Sequence, residues 1–388
     1  MHGFYEFFAG GGMARAGLGD RWDCLFANDF SPMKAAAYRA NWTGDHFHEG
    51  DVAKVTPDML PKGGELIWAS FPCQDLSLAG DYRGLGGQRA KEKTRSGTFW
   101  LFWGLMRELI EAGRAPKLIV LENVHGTLRS NGGRDFAAIA GALSGADYKF
   151  GAMLIDAKWF LPQSRPRLFI VAVRRDVAIP PALRVSTPDA RWHPSALTEA
   201  VEQVSAEARK KWVWWKLAYP PTRKKVLANM VEKEPTGVSW HTPEETSYIL
   251  SLMSDVNLAK VEEARKSGTL RVGTIYRRTR LDETGKKVQR AEVRFDDIAG
   301  CLRTPAGGSS RQTLLIVEGQ NVRSRLLSPR EAANLMGLPK KFKLPKRYND
   351  AYHLAGDGVA VPVVRHLAEH ILEPLLVASL PQMAVAAE

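Results

Sequence analysis

Short apolar runs alternate with longer amphipathic stretches over residues 1–175. This alternation predicts strands joined by helices, which is typical of a doubly wound α/β sheet. The predicted strands are residues 4–8, 23–27, 65–69, 117–121, 150–155 and 167–173, and the clearest predicted helices are 99–112 and 136–143. A further amphipathic helix, Val361 to Leu372, is predicted to pack back beside the N-terminal strand, so that both chain ends build one domain.

The first predicted strand runs into Gly10, Gly11 and Gly12, and a helical stretch follows. A turn without side chains lets a nucleotide or S-adenosylmethionine approach the backbone closely. The next strand ends at Asp29, about twenty residues further on, where an acidic side chain can bind ribose hydroxyls. The same turn would suit a dehydrogenase, but no acid and base set for nicotinamide chemistry accompanies it.

Three kinds of reactive group follow apolar runs. They lie in Phe71–Gln74, Glu122–Val124 and Gln163–Arg167. A Cys73 thiolate could add to carbon 6 of cytosine, while Glu122, protonated or sharing a proton with N3, stabilises the resulting enamine. In a strand, Arg165 and Arg167 would project the same way, hold the base O2 and a phosphate, and favour the thiolate.

Each group also has a simpler interpretation. A cysteine in an apolar run is more often a small buried hydrophobe, a Glu-Asn pair after a strand is more often a cap, and paired arginines more often form a solvated face. Their joint occurrence in this order favours covalent chemistry on cytosine.

With the N-terminal turn added, the chain resembles the DNA (cytosine-5-)-methyltransferase family. The resemblance is carried by Glu6–Gly12, Pro72–Gln74 with Ser77 and Gly80, Glu122–Val124, Gln163–Arg167, Ser328–Ala332 and Gly356–Val359. It implies a Rossmann-like S-adenosylmethionine-dependent methyltransferase domain with an inserted, smaller DNA target-recognition domain. The implied reaction methylates carbon 5 of cytosine within a short specific sequence of duplex DNA, through a covalent Cys73 adduct to a flipped-out base.

The resemblance also implies roles for individual residues. The catalytic set is Cys73, Glu122, Arg165 and Arg167, and the cofactor wall is Phe8, Gly10, Gly12, Asp29, Phe30, Asp51, Val52, Pro72, Asp357 and Val359. Three positions depart from the family pattern. Met13 replaces a further glycine, no acidic residue clearly precedes Arg95, and Asp357 replaces the usual asparagine, which keeps an acceptor but loses the amide donor. Asp357 could instead cap the helix that begins near Val361.

The chain has 388 residues, 45% of them apolar, and a formal net charge of +12. This length suffices for two domains, and the charge fits a polyanionic partner. Between Asp176 and Arg325 there are 25 Lys and Arg against 18 Asp and Glu, so this stretch carries seven of the net positive charges. We therefore predict catalytic residues 1–175, target-recognition residues 176–325 and a C-terminal catalytic part at 326–388.

Predicted DNA contacts come from several segments. They are Gln74, Ser77 and Arg83 near the nucleophile, Arg277, Arg278 and Arg280 in a strand-like alternation before a turn, and Arg303. Arg303 opens a glycine-rich segment, 303–311, that could follow a phosphate backbone or form a plain surface loop. The glycine-rich, basic stretch 80–97 is expected to be mobile without DNA and to close over the flipped cytosine. Tryptophans within 210–216 suit either a DNA-facing surface or a helix packed into its own domain.

Three cysteines, at 24, 73 and 301, favour a reducing compartment without disulfides, and no zinc spacing occurs, so no metal is expected. No charged-then-apolar leader and no apolar run of about 18 residues is present, which predicts a cytoplasmic, prokaryotic, nucleoid-associated protein without a membrane partner. We expect a monomer, with a cognate restriction endonuclease acting independently as a candidate partner. The alternatives are a tRNA cytosine methyltransferase of the same superfamily, which the large basic insertion disfavours, and a non-catalytic DNA-binding protein, which the intact reactive residues disfavour.

Overall fold

The computed structural model of the protein describes residues 1–72, 97–303 and 311–379. The strands are β1 (His2–Phe7), β2 (Trp22–Asp29), β3 (Phe47–Glu49), β4 (Gly64–Ala69), β5 (Leu118–Val124), β6 (Tyr148–Asp156), β7 (Pro166–Arg174), β8 (Arg184–Val185), β9 (Trp214–Trp215), β10 (Arg271–Leu281), β11 (Lys287–Arg294), β12 (Thr313–Glu318) and β13 (Asn321–Leu326). The helices are α1 (Met13–Leu18), α2 (Pro32–Asn41), α3 (Thr98–Glu111), α4 (Arg134–Gly145), α5 (Ser195–Glu202), α6 (Ala206–Arg209), α7 (Pro243–Ser251), α8 (Asp255–Lys266), α9 (Pro329–Leu335), α10 (Tyr348–Asp357), α11 (Val361–Leu367) and α12 (Glu373–Ala378). All six predicted strands and the helices predicted at 99–112 and 136–143 are confirmed, with bounds that differ by a few residues.

The described residues form two compact units. Unit 1 lies within Met1–Ile155, Pro166–Tyr219 and Val361–Glu388, and unit 2 within Asp156–Arg165 and Pro220–Ala360. These boundaries differ from the predicted segment 176–325. Residues 176–219 belong to unit 1, while Asp156–Arg165 and 326–360 belong to unit 2. The assignment of target recognition to 176–325 remains a prediction.

Unit 1 contains a seven-stranded sheet in the order β3-β2-β1-β4-β5-β7-β6. The pairings from β3 to β5 are parallel, and β7 runs antiparallel to β5. The strand order reverses between β1 and β4, and ligands of doubly wound sheets bind at the carboxyl ends of strands beside such a reversal. The predicted fold class is confirmed.

The sheet strands are apolar along their length because both faces are covered. Leu118, Ile119, Val120 and Leu121 of β5 are all buried, as expected for a central parallel strand. One large cluster joins such strand residues to α3, α4 and α5 and includes Phe7, Ile67, Phe102, Ile139 and Leu197. This core fixes the strand ends at which the candidate site lies.

The helical C-terminal segment packs against α1 in unit 1. A Cβ atom built on Gly17 would lie only 2.4 Å from Cβ of Val364, so α1 and α11 cross closely. The carboxylate of Glu373 accepts hydrogen bonds from Trp22 Nε1 at 3.1 Å and from Arg21 Nη1 at 2.9 Å. The predicted helix therefore lies beside α1 and the start of β2, and a π-helical stretch interrupts it at Ala368–Leu372.

The tryptophans within 210–216 belong to the core of unit 1. Trp212 and Trp214 pack on the large apolar cluster, and the fully buried Trp215 donates from Nε1 to the Val171 carbonyl at 3.3 Å. They lie in and next to strand β9, which pairs with β8, rather than in a helix. The core interpretation of this aromatic cluster therefore holds, and the DNA-facing one does not.

Unit 2 contains an antiparallel sheet in the order β11-β10-β12-β13. Helices α7 and α8 cover one face, where Ile249 and Val261 pack with Ile275, Val293 and Leu315. Helix α9 begins with a capping box in which Ser328 and Glu331 each accept a backbone N–H of the other.

Candidate active site

The carboxyl ends of four parallel strands meet at one edge of the unit 1 sheet. Phe7 of β1 is in register with Asn28 of β2 and with Ala69 of β4, and Ala69 is in register with Leu121 of β5. The glycine turn, Asp29, the segment reaching Pro72 and Glu122 all follow these positions directly. The topology thus gathers most of the predicted site residues of unit 1 at this edge.

The glycine turn has a left-handed backbone at three positions, Phe8 (φ 56°), Gly10 (φ 57°) and Gly12 (φ 78°). A left-handed bulky residue such as Phe8 is strained, and backbone strain of this kind concentrates at functional sites. A Cβ atom on Gly10 would meet no atom within 4 Å, whereas one on Gly12 would lie 2.2 Å from Nε1 of Trp42. Gly10 therefore leaves open space beside its backbone, as a bound cofactor requires, and Gly12 is needed for packing.

Asp29 binds the protein backbone on both sides of its carboxylate. Oδ2 accepts the Gly10 N–H at 2.9 Å, and Oδ1 accepts the Ser31 N–H at 2.9 Å. The side chain is 5% exposed. Asp29 thus connects the glycine turn to the start of α2, a role that the sequence analysis, which predicted ribose binding, did not anticipate.

The neighbouring predicted cofactor residues differ in accessibility. The Phe30 ring is 69% exposed, and Asp51 is exposed with Oδ1 accepting the Ala53 N–H at 3.0 Å. Val52 is buried and Pro72 half-buried. An open aromatic face and an exposed carboxylate beside a glycine turn could hold an aromatic ring and the polar groups of a cofactor.

Glu122 and Arg167 form an ion pair at the end of β5. Arg167 Nε lies 3.3 Å from Glu122 Oε1, and Glu122 is 6% exposed. Arg167 is in β7, directly opposite Val124 in the antiparallel register. The structure therefore brings together the predicted carboxylate and one of the two predicted arginines.

Asn123 connects this pair to the segment that leads toward the predicted nucleophile. Its Nδ2 donates to the Phe71 carbonyl at 3.1 Å, and its Oδ1 accepts the Val124 N–H at 2.8 Å. Sequence reasoning missed this positioning role, although an amide at a strand end was a usable signal. Cys73 itself, together with the predicted contacts Gln74, Ser77 and Arg83, lies outside the described residues.

Arg165 has a different environment from Arg167. It precedes β7, so the strand alternation that would have aligned the two arginines does not extend to it. Its guanidinium donates from Nη2 to the carbonyls of Gly356 (2.7 Å) and Gly358 (2.6 Å) and from Nη1 to that of Leu302 (3.2 Å), all in unit 2. The side chain is 1% exposed. In this structure the Arg165 guanidinium therefore binds the backbone at Leu302 and at Gly356–Gly358 and does not extend into solvent.

The two remaining predicted cofactor residues lie in unit 2. Asp357 is the last residue of α10 and is exposed, and Val359 is 4% exposed. The predicted cofactor wall is thus divided, with Phe8 to Pro72 in unit 1 and this pair in unit 2.

A partly buried polar cluster, which the sequence did not predict, lies beside the glycine turn. Trp42 Nε1 donates to the Gly11 carbonyl at 3.0 Å, and the Arg15 guanidinium carbon lies 4.6 Å from the Trp42 ring centre. Arg15 Nη1 also contacts the Tyr38 hydroxyl at 3.1 Å and His46 Nε2. No local motif signals this arrangement, because its members are brought together only by the packing of α1, α2 and β3.

Burial shifts the pKa values of three groups in and next to this cluster, Glu6, Cys24 and His46. Burial raises the pKa of Glu6 from 4.5 to about 8, against smaller opposing effects of Arg15. Burial raises the pKa of the Cys24 thiol to about 12, aided by the nearby Glu6. The pKa of His46 is lowered by burial and by the Arg15 guanidinium. Cys24 is therefore an unreactive buried thiol.

Four of the residues predicted to contact DNA lie in unit 2 and are among the described residues. Arg277, Arg278 and Arg280 are exposed on β10, whose hairpin with β11 agrees with the predicted alternation and turn, and Arg303 is exposed. Residues 80–96 of the predicted closing loop and 304–310 of the predicted phosphate loop lie outside the described residues. Within the described ranges, no cluster of three or more His, Cys, Asp or Glu residues could hold a metal ion, and no helix is long and apolar enough to cross a membrane.

Comparison with known proteins agrees with this architecture. A family model for C-5 cytosine-specific DNA methylase matches residues 3–373. The type II methyltransferase M.BsuFI of Bacillus subtilis is 26% identical over 379 residues, covering 97% of this chain and 74% of the relative. The type II methyltransferase M.HhaI of Haemophilus parahaemolyticus is 24% identical over 372 residues, covering 95% and 93%.

Two solved structures share the fold at low identity. The Dnmt2 methyltransferase of S. pombe aligns with a TM-score of 0.57 at 18% identity, covering 97% of this chain and 99% of the other. The Entamoeba histolytica methyltransferase EhMeth aligns with a TM-score of 0.61 at 14% identity, with the same coverage. Because the family model spans nearly the whole chain, the protein belongs to the C-5 cytosine-specific DNA methylase family and is a DNA (cytosine-5-)-methyltransferase.

Proposed function

We propose that the protein methylates carbon 5 of a flipped-out cytosine within a short specific sequence of duplex DNA, with S-adenosylmethionine as methyl donor. The observation that supports this most directly is the ion pair between the buried Glu122 and the half-buried Arg167, whose Nε and Oε1 are 3.3 Å apart. Asn123 links this pair to the Phe71 carbonyl, two residues before Cys73. A carboxyl group and a guanidinium are thereby fixed near the end of β5, beside the segment after β4 that leads to the nucleophile.

S-adenosylmethionine supplies an electrophilic methyl group. The residues of unit 1 proposed to hold it are the glycine turn with Phe8, the exposed Phe30 and Asp51, and the further wall residues Val52 and Pro72. Asp29 is proposed to support cofactor binding mainly by holding the glycine turn in place, because both its carboxylate oxygens already accept backbone N–H groups. Its remaining acceptor capacity is available to a ribose hydroxyl.

The proposed chemistry begins when the Cys73 thiolate forms a bond to carbon 6 of the cytosine. The electron pair of the 5,6 double bond then becomes available at carbon 5, and a proton taken up from solvent and held between Glu122 and N3 offsets the charge that develops on the ring. After carbon 5 has gained the methyl group, its proton passes to solvent water and the electron pair of that C–H bond re-forms the 5,6 double bond. The Cys73 thiolate leaves carbon 6 in the same elimination, which restores the aromatic base.

The two arginines are proposed to act differently. Arg167, paired with Glu122, holds the base O2 or the adjacent phosphate. Arg165 is proposed as a positioning residue, because its guanidinium is bound by the carbonyls of Leu302, Gly356 and Gly358.

The similarity to proteins named type II methyltransferases supports a role as the modification enzyme of a restriction–modification or phage system. We infer a monomeric cytoplasmic protein with duplex DNA as substrate and an independently acting cognate endonuclease as candidate partner. A tRNA substrate is less supported, since the family model and these relatives concern DNA.

Trapping with 5-fluorocytosine tests the proposal. A duplex that carries 5-fluorocytosine at the site, mapped beforehand by bisulfite sequencing, should form a covalent adduct with the full-length protein in the presence of cofactor, because fluorine cannot leave as a proton does. Mass spectrometry should place the adduct on Cys73, and Cys73→Ala should abolish it while DNA binding persists. An adduct on Cys24 or Cys301, or methyl transfer to tRNA but not to duplex DNA, would overturn the proposal.

A further inference from the structure

The register of the β10–β11 hairpin separates its arginines onto two faces. Arg278 is directly opposite Arg290, and Arg277 is directly opposite Ala291. Since successive side chains of a strand point to opposite faces, Arg278 and Arg290 share one face and Arg277 lies on the other. Arg277 and Arg278, which are neighbours in the sequence, therefore point to opposite faces of the hairpin.

The face of the hairpin that carries Arg277 is the one against which helices α7 and α8 pack. Ile275, Ala291 and Val293 lie on this face and are buried in the cluster formed with α7 and α8. The Leu252 carbonyl accepts the Ala291 N–H at 2.9 Å, so the segment after α7 pairs with the outer edge of β11, and Met253 of that segment packs in the same apolar cluster.

The opposite face, which we call the arginine face, carries Arg278, Arg280, Arg290, Tyr276 and Glu292. Arg280 Nη2 lies 2.9 Å from Glu292 Oε1, and Arg278 Nε lies 3.6 Å from Glu292 Oε2. The three arginines are exposed, and Glu292 is half-buried. One carboxylate thus contacts two guanidinium groups, and Arg290 lies on the same face, which leaves an excess of positive charge there.

The arginine face continues toward the segment that Arg165 holds. A Cβ atom on Gly300 would overlap the Tyr276 hydroxyl, at 1.0 Å, so the tyrosine packs directly on the Gly300 backbone. The next two residues bind Arg165, through Cys301 Sγ at 3.5 Å and the Leu302 carbonyl at 3.2 Å. The exposed Arg303 follows. Basic groups therefore extend from the hairpin to the segment that binds Arg165, a residue of a family motif.

We propose that the arginine face is the DNA-contact face of the hairpin, that Arg290 is a further DNA-contact residue beside Arg278 and Arg280, and that Glu292 is a positioning residue that holds the arginines at their spacing. This inference rests on the proposed function, because it takes duplex DNA as the partner. It excludes Arg277 from the contact set. Guanidinium groups at fixed positions suit bidentate contact with phosphate or guanine edges.

Salt-dependent binding of the full-length protein to duplex DNA tests this proposal. Arg290→Gln should reduce the slope of log K against log salt by about one unit if the contact is to phosphate, or lower discrimination between cognate and non-cognate duplexes about tenfold if it is to a base. Arg277→Gln, which removes the same charge from the same hairpin, is the matched control and should change neither quantity.

Glu292→Gln should tighten non-cognate binding and reduce discrimination, because the arginines gain free charge but lose their common anchor. A purely structural role for Glu292 would lower the melting temperature and leave discrimination unchanged, which would overturn its positioning role. Equal effects of Arg277→Gln and Arg290→Gln, or an effect of Arg277→Gln alone, would overturn the face assignment. If the unaltered protein neither binds nor methylates duplex DNA, the proposed function itself fails.

Discussion

Replacing Glu6 by Gln should stabilise the protein at neutral pH. Glu6 lies in β1, is 1% exposed, and its Oε1 accepts a long hydrogen bond of 3.4 Å from the Arg15 N–H. Among the described residues, no partner lies within hydrogen-bond distance and geometry of its buried Oε2. Burial raises its pKa to about 8, and the charge of nearby Asp29 adds to the increase. Glutamine keeps the shape of the protonated side chain and removes the ionisation.

The magnitude follows from the difference in protonation between the folded and unfolded chains. The unfolded side chain ionises near its ordinary value of 4.5, whereas the folded one keeps its proton to about pH 8. A raised pKa in the folded state contributes stability that is complete below 4.5 and is lost as pH rises through 8. One proton of difference changes the free energy of unfolding by roughly 1.4 kcal/mol per pH unit, so about 3 kcal/mol should be lost between pH 5 and pH 7.

Urea denaturation of both proteins between pH 5 and pH 8 measures this loss. Contributions of all other groups cancel in the difference between wild type and Glu6→Gln, and this difference should grow steadily with pH in favour of the variant. Glu111→Gln, at an exposed glutamate that ends α3, is the control and should give a constant difference. A constant difference for Glu6→Gln as well would show that Glu6 is ionised in the folded protein and refute the reasoning.

Two further substitutions each test one contact, the first in unit 1 and the second in unit 2. Trp42→Phe removes the hydrogen bond to the Gly11 carbonyl, worth about 1 kcal/mol, so the KM for S-adenosylmethionine should rise about fivefold with little change in kcat. A fall in kcat at constant KM would contradict this positioning role. Glu331→Ala should lower the free energy of unfolding by about 3–5 kcal/mol in urea denaturation, because it leaves Arg325 charged and fully buried without its bidentate partner. A loss below about 1 kcal/mol would show that Arg325 finds another partner.

The strands of unit 1 could be predicted because a parallel sheet buried on both faces needs continuous apolar runs, which are visible in a single sequence. The glycine turn and the acidic strand ends were equally local signals. The hydrogen bonds of Arg165 could not be predicted, because its acceptors at Leu302, Gly356 and Gly358 are more than a hundred residues away in the sequence. Charge and aromatic content likewise could not reveal that Trp212–Trp215 complete the core of unit 1.

The polar side chains at the carboxyl edge of the unit 1 sheet mostly bind backbone groups. Asp29 holds Gly10 and Ser31, Asn28 donates from Nδ2 to the His48 and Gly50 carbonyls, and Asn123 holds Phe71. A buried polar group without a partner is costly, so these bonds fix the loops that leave the strands. The exposed Phe30 and Asp51 stand on those fixed loops. Asp51 uses Oδ1 to accept the Ala53 N–H, which leaves the other acceptor sites of its exposed carboxylate for a ligand. Phe30 and these acceptor sites are consequently the groups of this edge best placed to recognise a ligand without first breaking a bond that holds the fold.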